Sequence, residues 1–203
     1  TLSSSSAASD VYKRQQNDRL LKQINFIVEI DKLKQVLRQN VPIGYTRNEN
    51  DAEHSWHLAV MAIFLAEYSA AENLDVSRVI KMVLIHDLIE IDAGDTFCYD
   101  AKGYEDKAER EIRAAERLFK LLPEDQAEEI WGLWREFEEM KTPEACFAAC
   151  LDRLQPLLVN YHTGGHTWQR PGVNRDKVLG RNEVLEKNAP EHCFVFCTVL
   201  LCL

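Results

Sequence analysis

Val83-Leu84-Ile85-His86-Asp87-Leu88-Ile89-Glu90-Ile91 sets a histidine, an aspartate and a glutamate in a run that is otherwise Val, Leu and Ile. Asp75 is placed to cap a helix over Val76–Ile91, and such a run falls short of the roughly 20 apolar residues of a membrane span. The carboxylate of Asp87 is therefore carried into a protein interior. A buried charge needs an opposite charge or a metal ion, and no cationic side chain stands three or four residues away on this helix. Its partner has to come from another element.

The helical period continues on both sides of this run. Leu20, Ile24, Ile27, Ile30, Leu33 and Leu37 recur at three and four steps, Pro123 with Glu124 and Asp125 opens a helix to about Met140, and Thr142-Pro143-Glu144 caps the next. Further helices are predicted near 51–70, 103–121 and 174–188, about seven in all, with no alternating strand pattern. Two longer connections, Ala93 to Gly103 and His162 to Asn174, are where function is expected to concentrate. The expected fold is all-α in one domain over residues 17–190. The serine-rich opening, residues 1–16, reads as a disordered tail or a cloning scar without the apolar core of a secretory signal, and residues 191–203 as an apolar tail of uncertain origin.

Of 203 residues, 33 are acidic and 24 basic, a net charge of −9. This balance argues against a nucleic-acid polymer as partner, which calls for a basic face, and nothing in the hydropathy calls for a membrane. Cysteines at 98, 146, 150, 193, 197 and 202 show neither C-x-x-C pairs nor the density of a disulfide scaffold. A reducing cytoplasm is the expected location, with Cys146 and Cys150 as small core residues.

Two other helices carry the same anomaly as the central run. His54 lies in Glu53-His54-Ser55-Trp56-His57, and Asp152 stands among apolar neighbours in Ala149-Cys150-Leu151-Asp152-Arg153-Leu154. Arg153 points about 100° away from Asp152 and is not expected to pair with it. Taken singly, each buried His or Asp is more often a hydrogen-bonded core residue. Taken together, His54, His86, Asp87 and Asp152 make a mixed nitrogen and oxygen ligand set for a divalent metal, with positions left for water and substrate. His57, one turn from His54, is left outside the set.

These residues, in the order H…HD…D, resemble the signature of the HD-domain metal-dependent phosphohydrolases. Glu49-Asn50-Asp51-Ala52-Glu53-His54-Ser55, His86-Asp87-Leu88-Ile89-Glu90 followed by Gly94-Asp95-Thr96, and Leu121-Leu122-Pro123 before an acidic helix are similar to the 5′-deoxynucleotidase branch over roughly residues 20–190. The resemblance implies an HD-type helical bundle around a central metal site, binding one ion of manganese, cobalt, iron, zinc or magnesium through His54, His86, Asp87 and Asp152. It implies that Glu90 moves a proton near the attacking water and that Asp95 faces the substrate. Arg38 and Arg47 are the candidates for holding phosphate; Arg38 matches the family's arginine with one residue of spacing shifted. Deoxy-selective members carry a tryptophan directly after that arginine, where this chain has Gln39. Tyr45 or Trp168 would offer an aromatic wall to a base.

The implied reaction is hydrolysis of a small phosphate ester, a (deoxy)nucleoside 5′-monophosphate, to nucleoside and phosphate, by an enzyme that in this branch is often a homodimer. Two other readings remain open. A two-metal phosphodiesterase or oxygenase of this fold uses extra histidines, and none lies between Asp87 and Tyr161. A non-catalytic nucleotide-binding module would have no use for Glu90 and Asp95.

Overall fold

A computed structural model describes the backbone of residues 3–188 and the side chains of residues 15–182. The expectations for residues 191–203, including Cys193, Cys197 and Cys202, lie outside the described residues. The helices are α1 (Ser3–Ile30), α2 (Asp51–Leu65), α3 (Val76–Ile85), α4 (Glu90–Ala93), α5 (Lys107–Phe119), α6 (Glu124–Glu139), α7 (Pro143–His162) and α8 (Arg175–Asn188). Among the described residues the only strand-like pairing is one antiparallel bridge between Leu37 and Asn50. The all-α expectation holds, and no described helix is long and apolar enough to cross a membrane.

Local chemistry sets the helix starts. Asn50 opens α2 by accepting from the Glu53 amide while the Glu53 carboxylate accepts from the Asn50 amide, a reciprocal capping box. Asp75 caps α3 through the Arg78 amide, and Thr142 caps α7 through the Ala145 amide with Pro143 in the first turn. α2, α3 and α7 pack against one another, and α6 lies on α3 and α7. Their shared core includes Leu58 and Ala62, Val79, Met82 and Val83, and Ala148 and Leu151, all essentially inaccessible. On the far side, Phe119, Trp131 and Trp134 meet edge to face.

Three departures from the sequence reading bear on the site. The single helix expected over Val76–Ile91 is broken: α3 ends at Ile85, His86–Ile89 tighten into a 3-10 turn, and α4 adds one more turn. Such a break inside a helix often marks a functional position. The helix of the N-terminal segment reaches back to Ser3, through the serine-rich stretch read as disordered; once a packed end fixes a helix, each added turn costs little. The apolar row read from sequence is split: Leu20, Ile24 and Ile27 are exposed together with Leu21 and Val28, whereas Ile30 packs against the core and Leu33, just past the end of α1, is buried in it. Among the thiols, Cys150 is buried as expected, whereas Cys146 is half-buried and donates to the Met140 carbonyl.

Candidate metal centre

The mutual packing of α2, α3 and α7 brings His54, His86 and Asp152 together, with one ligand atom from each within 4.8 Å of the others. His54 Nε2 lies 3.0 Å from Asp152 Oδ1, and His86 Nε2 lies 3.8 Å from the same oxygen. Asp87 joins them, with Oδ1 3.0 Å from His86 Nε2 and Oδ2 3.9 Å from His54 Nε2. The four residues expected as ligands thus converge.

The donor set fits a cation. His86 Nδ1 faces the Val83 carbonyl at 2.9 Å, which makes Nδ1 the protonated nitrogen and turns Nε2 inward, where it is buried without a hydrogen-bond partner. Burial and the nearby Arg38 hold His54 in its neutral form, below the usual imidazole range. His86 behaves oppositely: burial disfavours its charge, yet Asp87 and Asp152 outweigh burial and push its pKa up to about 10. Two carboxylates that draw a proton onto a buried imidazole are holding a place for positive charge, and a metal ion would displace that proton. Burial would raise both acids, but His54 and His86 hold Asp152 well below the carboxylate range, and His86 and Arg38 do the same for Asp87.

Arg38 is the partner that Asp87 lacks on its own helix. Backbone hydrogen bonds from the Arg38 amide to the Glu49 carbonyl (2.8 Å) and from the Glu49 amide to the Asn40 carbonyl (2.9 Å) clasp its segment to the start of α2. Its Nη1 donates to Asp87 Oδ2 at 2.9 Å and to Asp51 Oδ1 at 3.1 Å, and its Nε is buried 3.9 Å from Glu49 Oε2, beyond hydrogen-bond reach. Arg47 is corrected. It lies at the surface, paired to Glu53 at 2.5 Å and stacked over Tyr45, outside the residues that line the cavity. Its short connection to the capping box holds it there. Tyr45 is exposed with it, so of the two aromatic candidates only Trp168 reaches the cavity.

Glu90 is 7% exposed and faces a second acidic group, Asp51 and Asp95. Burial, then repulsion from Asp87, Asp51 and Asp95, raises the Glu90 carboxyl well above its ordinary range, and burial raises Asp51 and Asp95 as well. Glu90 therefore holds its proton more tightly than an ordinary carboxyl. Asp95 is positioned by Gly94, whose φ of 75° turns the chain off α4, and by Arg110, which ties this loop down through the Ala93 and Gly103 carbonyls and Thr96.

Several residues escaped the sequence reading. Gln155 takes the His54 Nδ1 hydrogen bond at 3.1 Å, donates to Glu49 at 2.7 Å, and sits 3.5 Å from His57. It lies three positions after Asp152 and Asp51 lies three before His54, so the i, i+3 rule applied to each ligand would have found both. Arg153 does reach back, with Nη1 2.9 Å from Asp152 Oδ2, because a long side chain overcomes the 100° offset. Gln155→Leu removes the acceptor that orients His54, and metal affinity is expected to fall about 10- to 100-fold, measured by chelator competition.

An HD domain model matches residues 30–193. The chain belongs to the HD domain family. Human 5′-deoxynucleotidase HDDC2 is 32% identical to this HD domain over 136 residues, 66% of this chain and 65% of the human protein. The bovine protein of the same name is also 32% identical, and its match spans 64% of its length. The chain thus matches a little under two thirds of these curated relatives. A crystal structure titled as a predicted metal-dependent phosphohydrolase from Magnetospirillum magnetotacticum superposes with a TM-score of 0.84 at 50% identity, covering 90% of this chain and 91% of that one. The conserved hypothetical protein from Pyrococcus furiosus shares 26% identity at a TM-score of 0.65, covering 87% of this chain and 98% of that one.

Proposed function

We propose that this HD domain is a metal-dependent phosphomonoesterase that converts (deoxy)nucleoside 5′-monophosphates to nucleoside and phosphate. The observation that carries the reading is a buried Glu90 carboxyl lining the same cavity as His86, Asp87 and Asp152. His54, His86, Asp87 and Asp152 would hold the ion. A bound divalent ion supplies charge neutralisation for phosphoryl oxygens and a more acidic water. Arg38, already charged and buried at the cavity wall, brings a second positive charge to the phosphoryl group. Water attacks phosphorus and passes a proton to Asp95 in the loop that follows α4, the bond from phosphorus to the ester oxygen breaks, Glu90 gives its proton to that oxygen, and proton exchange with solvent resets both carboxyls.

One ion is favoured over two. Arg38 Nη1 lies between Asp51 and Asp87, supplying by ion pair the positive charge that a second cation would bring to these carboxylates. A cytoplasmic setting suits the thiols Cys98 and Cys146, and a second copy of the chain is the partner this reading assigns to the exposed apolar row of α1.

The test is phosphate release from deoxy- and ribonucleoside 5′-monophosphates and from non-nucleotide phosphomonoesters, on chelator-stripped protein with manganese, cobalt, iron, zinc and magnesium restored singly. Turnover of the nucleotides that disappears with chelator and returns with metal is expected. A folded, metal-loaded protein that releases phosphate from none of them overturns the reading. With Gln39 at the cavity in place of tryptophan, held by the Arg170 guanidinium, ribo- and deoxyribonucleotides are expected within about tenfold of one another.

A further inference from the structure

The cavity at the candidate metal centre has a volume of about 180 Å³, below the roughly 300 Å³ at which pockets for whole small-molecule ligands begin. A substrate held there by its phosphate has to extend into neighbouring space. An open cleft of about 460 Å³ adjoins it and shares Cys98, Tyr99, Tyr104, Arg153 and Arg181 with the cavity wall. Its charge is unlike that of the rest of the molecule. Arg153 from α7 and Lys177 and Arg181, one turn apart on α8, all line it, and no carboxylate is among its eight lining residues within the described part of the chain. In a chain of net charge −9, three cations around one concavity without an acid are a concentrated positive potential.

These cations are not fully used within the protein. Arg153 gives Nη1 to Asp152, which fixes its position against the candidate metal ligand, but its Nε is buried without a hydrogen-bond partner. Among the described residues the Lys177 ammonium donates to the Gly172 carbonyl, an uncharged acceptor, and pairs with no carboxylate. Arg181 has the phenol of Tyr104 beside it and, among the described residues, no carboxylate within ion-pair distance.

We infer that this cleft is a second anion site, and that the preferred substrates are phosphate monoesters carrying a further phosphate on the part of the molecule distal to the scissile one. The inference rests on the phosphomonoesterase reading for the word substrate, but not for the anion site itself. The guanidinium forks of Arg153 and Arg181 suit the planar, paired oxygens of a phosphate face, and Lys177 adds a point charge.

The probe is a deoxynucleoside 3′,5′-bisphosphate set against the matching 5′-monophosphate, with equilibrium binding and phosphate release measured on wild type, Arg181→Gln and Lys177→Gln. The bisphosphate is expected to bind about tenfold or more tightly than the monophosphate in wild type, with the ratio collapsing toward one in Arg181→Gln and reduced in Lys177→Gln. Arg181→Lys, which keeps the charge and loses the fork, is expected to fall between. Rising salt erodes the ratio because the cleft is open. Equal affinities in wild type, or a preference that survives both glutamine variants, overturn the site. A preserved binding preference without release of phosphate from either compound supports the anion site and removes the phosphatase reading instead.

Discussion

Glu90→Gln is expected to keep the fold and the metal and to lose turnover by about 10²- to 10⁴-fold, the usual worth of a positioned proton donor. The amide fills the same space and accepts hydrogen bonds, but it has no proton to give the leaving oxygen. Metal content by elemental analysis and kcat on a monophosphate decide the matter together, since full activity with metal bound would remove Glu90 from the reaction. Stability gives a second readout on chelator-treated protein. Glu90 keeps its proton in the fold at a pH where the unfolded chain has released it. Folding therefore takes up a proton, and stability falls as pH rises from the ordinary carboxyl range toward the raised value. Glutamine carries no such penalty, so the variant is expected to show a flatter pH dependence of melting and to unfold no more easily than wild type near neutral pH.

Arg38→Met is expected to be the most damaging substitution for stability near the site. Its side chain is 15% exposed and neutralises two carboxylates that are themselves buried, Asp51 and Asp87. Removing one member of a buried ion pair typically costs about 3–5 kcal/mol, because the remaining charge is left in a medium that does not solvate it. For a domain of this size that corresponds to a drop in Tm of roughly 6–20 °C. Arg47→Ala is the control, since its pair with Glu53 is solvent-exposed and its loss is expected to change stability little. Chemical denaturation of the two variants tests the assignment, and equal losses would mean that Arg38 is not the keystone of the carboxylate cluster.

The fold and the ligand set were legible for the same reason. His54, His86, Asp87 and Asp152 are polar residues that apolar periodicity forces inward, and inward polar residues announce themselves. Asp51 was hidden because an acid in the first turn of a helix has an ordinary capping explanation, and Gln155 because an amide carries no charge to raise an alarm. Arg38 and Arg47 could not be separated from spacing alone: both flank the start of α2, and only the backbone clasp between Arg38 and Glu49 turns one inward. The 3-10 turn at His86–Ile89 was missed because its apolar pattern fits an unbroken helix equally well. The exposure of Leu20, Ile24 and Ile27 marks where the pattern shows what wants covering but not what covers it.

The meeting of α2, α3 and α7 also fixes when the pocket can exist. His54 and Asp152 are 98 residues apart in the chain, so local helix formation sets only the adjacent His86–Asp87 pair, and closure of the cluster waits for long-range contacts. During synthesis, His54 and His86 emerge without Asp152 and stay so until α7 leaves the ribosome. The pocket is thus a terminal checkpoint of maturation: it is complete only in a chain whose helices have all found their partners.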